Sequence, residues 1–181
     1  METLMTTTME SRPTLAEMNE VWTEWVDRPW YKDKMKVGDC YGICMEFYQK
    51  QFNLTLRDYP KLHRRALFDP SFIEDQAERL EDGVIHVYTG TCDSDPPPFS
   101  DLQYGDMMVM RLHLERLEGG YSSKQDRLCN HSGIYLGHGY MLHHAWLDPS
   151  KIVDLTVHSF YHRMTELVLR SPHAVNYPAP I

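Results

Sequence analysis

With 181 residues and a formal net charge of -8, the chain is long enough for one domain with a sizeable core and too short for two ordinary ones. A hydrophobic content of 42% with 12% aromatic residues excludes global disorder. A mean hydropathy of -0.50 with only short apolar runs excludes a membrane span. Eighteen basic against twenty-six acidic residues, with no long Lys/Arg cluster to follow a phosphate backbone, exclude nucleic acid as a partner.

Residues 1–13 are polar and Thr-rich and read as a flexible N-terminal segment. They carry neither a basic n-region nor an apolar h-region, so Sec-dependent export is not expected. Residues 14–170 are expected to form the single domain, and 171–181 a C-terminal tail. Thr14-Leu15-Ala16-Glu17 has capping-box spacing, which predicts a helix from Thr14 to about Asp27. Pro29 blocks its continuation, and Trp30 to Asp39 lacks periodicity and reads as a loop.

From Cys40 to about Phe52, Ile43, Phe47 and Tyr48 recur at helical spacing, with Asn53 as the stop. Asp58-Tyr59-Pro60 turns the chain, and Asp69-Pro70 opens an amphipathic helix whose stripe is Phe72, Ile73, Ala77 and Leu80, ending near Gly83. Beyond it the period changes to two. Val84 to Thr89, Met107 to Leu114, Ser132 to Leu136 and Tyr140 to Ala145 read as strands, with weaker ones near Thr156 to Phe160 and Glu166 to Leu169. Thr91 to Ser100 and Glu118 to Arg127 read as surface loops. Helices first and strands later, joined by short turns, predict an α+β domain with an antiparallel sheet.

Four cysteines, Cys40, Cys44, Cys92 and Cys129, are too sparse for a disulfide framework and are expected as free thiols, at least two of them buried. Cys40 opens a helix, where unpaired N–H groups and the positive dipole end favour a thiolate. A nucleophilic thiol needs a base, and His131 begins an apolar strand that would hold an imidazole rigidly. The strand returns after Gly137-His138-Gly139 as Tyr140-Met141-Leu142-His143-His144, offering an orienter for that base. A two-residue loop at His138-Gly139 puts His144 on the face of His131; a three-residue loop puts His143 there. Periodicity leaves both open.

Asp39-Cys40-Tyr41-Gly42, followed far downstream by His131-Ser132-Gly133-Ile134-Tyr135-Leu136-Gly137 and the returning strand to His143, resembles the NlpC-type cell-wall peptidases, which are papain-like cysteine peptidases. Leu102-Gln103-Tyr104-Gly105-Asp106 resembles the Gly-Asp element before that family's first core strand. The resemblance spans about Trp30 to Leu147. It implies a papain-like fold, with helices packed on an antiparallel sheet, and Cys40 as nucleophile, His131 as general base and acid, and His143 as orienter. It further implies substrate contacts from Tyr41 and Tyr31. The implied reaction is hydrolysis of amide bonds in peptidoglycan stem peptides through an acyl-enzyme.

Cellular members usually carry Ser after the Cys, whereas Tyr41, the paired histidines and Asp58-Tyr59-Pro60 look more like the form found in phage tail proteins. The Gly-rich approach to the Cys is absent here. The resemblance thus implies a virion tail location after synthesis in the host cytoplasm, other tail proteins as partners, and action during tail assembly or genome delivery. The alternative is a structural tail protein that keeps the fold without using the chemistry. Cys129, His131, His138, His143 and His144 lie within sixteen residues. Zinc sites are announced by closely spaced ligand pairs, and only Cys129 and His131 fit, so neither metal nor cofactor is expected.

Overall fold

The computed structural model describes residues 12–29, 40–56, 85–90, 94–112, 131–145, 148–172 and 180. The helix expected over 70–83, the loops expected over 30–39 and 118–127, the 58–60 turn, Tyr31, Cys92 and Cys129 lie outside them. In chain order the elements are α1 (Leu15–Val21), α2 (Cys40–Phe52), β1 (Ile85–Thr89), β2 (Met107–Met110), β3 (His131–Gly137), β4 (Tyr140–His144), β5 (Ser150–Asp154), α3 (Ser159–Arg163) and β6 (Thr165–Arg170). The strands form one antiparallel sheet in the order β1-β6-β2-β3-β4-β5. The fold class is therefore α+β, as expected. No helix among the described residues is long and apolar enough to cross a membrane.

The capping box forms as read: Thr14 Oγ1 accepts from Glu17 N, and Thr14 N donates to the Glu17 carboxylate at 2.7 Å. The helix, however, ends at Val21 rather than Asp27. Ser150, at the start of β5, accounts for this: its carbonyl accepts from Asp27 N, its hydroxyl accepts from Arg28 N, and its N–H donates to Arg28 O. Asp27 reaches a φ of 56° to meet it. Between these points Trp22 and Trp25 turn inward, and both are buried.

Alternation along the central strands divides the interior into two cores, one on each sheet face. On one face Ile134, Leu136, Leu142, Ile152, Met107 and Val109 pack with Ile43, Phe47 and Tyr48 of α2. On the other, Tyr135, Met141, Val153, Met108, Met110 and Val168 form a second cluster, against which Phe99 and Tyr161 pack. Fully burying a side chain such as Phe47 is worth roughly 1.5–3 kcal/mol, so α2 is held on the sheet mainly by this apolar face. Asn53, at a φ of 53°, stops α2 where expected.

Three strand expectations are corrected. Thr156 to Phe160 is not a strand: Asp154 Oδ1 accepts from both Thr156 N (2.9 Å) and Thr156 Oγ1 (2.6 Å), and this side-chain turn leads into α3. Ser150–Asp154, unforeseen, supplies the strand that β4 pairs with. β2 ends at Met110, because Arg111 N donates instead to Met164 O and its guanidinium pairs with Glu166 at 2.7 Å. The Gly105-Asp106 element is a structural joint. Gly105 has a φ of 85°, and the fully buried Asp106 carboxylate accepts from Arg170 Nε and Nη2, both at 2.8 Å, and from Gln103 N at 2.8 Å.

Candidate active site

The β3–β4 hairpin decides which histidines meet. His138 and Gly139 both have positive φ, 53° and 81°, as a two-residue turn of the kind that joins twisted strands requires. By loop length alone His144 would share the face of His131. The pairing slips by one, however, between Tyr135 and Gly137: Gly137 faces Tyr140, whereas Tyr135 faces Met141 and Gly133 faces His143. Leu136 is the extra residue of this bulge. It restores the register that puts His131 and His143 on one face, so neither simple loop choice describes the hairpin.

His131 Nε2 and His143 Nδ1 lie 2.9 Å apart, with the rings nearly perpendicular at 89°. Both are buried, at 4% and 0% exposure. Burial, with nearby His144 adding to it, pushes His131 down to about 4. Burial, then His131, Lys151 and His144, hold His143 well below the usual imidazole range. Both rings are thus neutral at neutral pH, and one proton lies between the two facing nitrogens. The His131 imidazole meets His143 through Nε2, which leaves Nδ1 as the nitrogen for a reaction partner. Gly133, opposite His143, admits no side chain: a Cβ there would come within 2.7 Å of Met141 Sδ and 2.9 Å of Leu142 O.

Cys40 is the first residue of α2 and is half-buried. Its place along the sheet follows from the two turns after it. Cys44 Sγ is 3.6 Å from Ser132 Oγ, near the start of β3. Tyr48 donates to Gly105 O at 2.7 Å, and Gly105 in turn bonds Tyr135, further along β3. α2 therefore runs beside β3 in the same direction, and Cys40, one turn before Cys44, stands at the end of the sheet where His131 begins β3. The helix rests on the face bearing Ser132, Ile134 and Leu142, while His131 and His143 project toward Tyr161 on the other face. By alternation His144 lies on the helix side, and it is buried.

Of the expected site residues, the fold brings His131 and His143 into contact and sets Cys40 at the same end of the sheet. Tyr41 is packed in the helix-side core at 6% exposure. Tyr161 is an aromatic neighbour of both imidazoles that sequence reading did not find. Reading Thr156 to Phe160 as a strand hid it, and the Asp154 to Thr156 turn signal is what would have revealed it. Among the described residues no group of three or more His, Cys, Asp or Glu side chains is arranged to hold a metal ion.

Comparison with known proteins adds no assignment: no protein family matches the chain, and no curated protein matches it.

Proposed function

We propose that this protein is a cysteine peptidase that hydrolyses amide bonds in peptidoglycan stem peptides, with Cys40 as nucleophile, His131 as base and His143 as its orienter. The observation that carries the reading is the 2.9 Å contact between His131 Nε2 and His143 Nδ1. It leaves His131 Nδ1 for a thiol, and α2 begins at the same end of the sheet, so a thiol on Cys40 meets Nδ1 only by reaching past the start of β3 from the helix face. The papain-like likeness of the Cys40 and His131 segments supplies the substrate class.

In this reading His131 donates its Nε2–H to His143 and takes the Cys40 proton on Nδ1. The thiolate attacks the amide carbonyl, and the positive dipole end of the thirteen-residue α2 favours the developing oxyanion. The C–N bond breaks as His131 returns the proton to the leaving amine. Water, deprotonated by His131, then attacks the thioester and releases the acid and the thiol. The imidazole is neutral before reaction but burial makes it a weak base, so proton transfer in this reading depends on the thiolate formed beside it, which favours the imidazolium.

The tail location completes the proposal. A chain of net charge -8 is repelled at long range by an anionic cell wall. Attachment to a tail assembly removes that handicap by raising the local concentration. Digestion of purified stem peptides, followed by mass spectrometry, is expected to give products split within the stem, with sugar chains intact and with no products from Cys40→Ala. Whole cells treated from outside are expected to lyse poorly. Intact stem peptides after long incubation would favour the structural tail protein instead.

A further inference from the structure

His143 can orient His131 only if its own ring is fixed. A histidine χ2 is a broad, weakly restrained torsion, so an imidazole is usually locked by hydrogen bonds at both nitrogens. His143 is fully buried and bonded at Nδ1, yet its Nε2 has no hydrogen-bond partner among the described residues. What meets the ring instead is Tyr161, in an edge arrangement with centroids 4.7 Å apart and planes at 62°. The same ring reaches His131 at 6.1 Å.

Tyr161 is itself held firmly. It sits on α3, whose next residue, His162, donates from Nε2 to Pro97 O at 2.7 Å and stacks on Phe99 at 4.2 Å and 14°. Thr165 Oγ1 donates to Tyr161 O at 3.0 Å, and Arg111 N donates to Met164 O. The short helix is thereby fastened to the 97–99 loop and to the end of β2, with one aromatic ring set against the histidine pair.

We infer that Tyr161 is a positioning residue: its ring, not its hydroxyl, fixes the His143 imidazole in the orientation that meets His131, an inference that rests on the peptidase reading above. A T-shaped aromatic contact resists ring rotation because each plane has a preferred angle to the other. Without it His143 would exchange between orientations, and His131 would lose its fixed tautomer.

Two variants of the full chain test this, Tyr161→Phe, which keeps the ring, and Tyr161→Leu, which removes it. With a stem peptide as substrate, Tyr161→Leu is expected to lower kcat about tenfold with KM within about twofold, and Tyr161→Phe to stay within about twofold of wild type. Nitrogen-15 NMR of the imidazoles is expected to show fixed tautomers for His131 and His143 in wild type and Tyr161→Phe, and averaged ones in Tyr161→Leu. The His162 signals report whether α3 remains folded. Unchanged kcat and tautomers in Tyr161→Leu would overturn the inference, as would a Tyr161→Phe variant as impaired as Tyr161→Leu. If wild type cleaves nothing but its tautomers still depend on the Tyr161 ring, the positioning role stands and the peptidase reading fails. If Tyr161→Leu does not fold, a nuclear Overhauser contact between the Tyr161 and His143 rings in wild type supports the inference, and its absence overturns it.

Discussion

His131 and His143 face one another across the β3–β4 hairpin because Leu136 bulges out of register, not because of the loop that joins the strands. One inserted residue thereby decides which of two adjacent histidines meets His131. The excluded one, His144, is buried on the opposite face beside α2.

Replacing these two histidines separates their roles. His143→Ala removes the partner of His131 Nε2 and is expected to lower turnover by at least about tenfold, because an imidazole without its orienter loses tautomer and rotamer control. It also strands a buried polar nitrogen, at a cost of about 1–3 kcal/mol in stability. His144→Ala, on the helix side, is expected to leave turnover much closer to wild type. Steady-state kinetics on stem peptides beside denaturant melts of both variants make the comparison. Loss of activity in His144→Ala with retention in His143→Ala would show that the other face of the hairpin carries the chemistry.

The two thiols of α2 are expected to differ sharply in reactivity. Cys40 is half-buried at the helix N-terminus, whereas Cys44 is fully buried with Sγ 3.2 Å from Cys40 O and 3.6 Å from Ser132 Oγ. Limited iodoacetamide treatment at neutral pH followed by peptide mapping is expected to label Cys40 first, with Cys44 protected until the protein unfolds. Equal labelling of the two would contradict the placement of the helix.

Stability is expected to fall with acidity in a defined window. The folded state holds His131 at about 4, and His143 is lowered in the same direction, both chiefly by burial. In the unfolded chain each titrates near the ordinary value of about 6.5. Between these values the unfolded state binds more protons, so the stabilisation is complete above about pH 6.5 and is lost as pH falls toward about 4. For His131 alone this amounts to on the order of 3 kcal/mol. Urea melts across pH 4 to 7 on wild type and His143→Phe measure it. The variant is expected to show the shallower slope, and identical slopes would contradict a neutral buried pair.

Much of this arrangement is legible in the residues themselves. Thr14 and Glu17 announce the first helix, and the Cys40 to Phe52 stripe ends at Asn53 as written. His131 to Gly137 and Tyr140 to His144 read as a hairpin because Ile134, Leu136 and Leu142 alternate with residues of the other face. What escapes the residues is tertiary. Val21 ends α1 because Ser150, over a hundred residues away, captures the backbone of Asp27 and Arg28. Leu136 is as buried as Tyr135, and what marks the bulge is Gly137 beside it, at a φ of 92°, together with the pairing across the hairpin. Tyr161 escapes for a different reason, since β-branched and aromatic residues from Thr156 to Phe160 imitate a strand while Asp154 makes the turn.

In the proposed mechanism Cys40 carries the acyl group, with His131 as its base. Acid-quenched mixtures of the full chain and a stem peptide, examined by intact-protein and peptide mass spectrometry, test it most directly. The expected result is a stem-derived acyl adduct on the Cys40 peptide that disappears on chase with water, is absent in Cys40→Ala and accumulates far more slowly in His131→Ala. Cleavage of the stem peptide by Cys40→Ala at the wild-type rate, with no adduct on Cys40 in the wild-type protein, would contradict it.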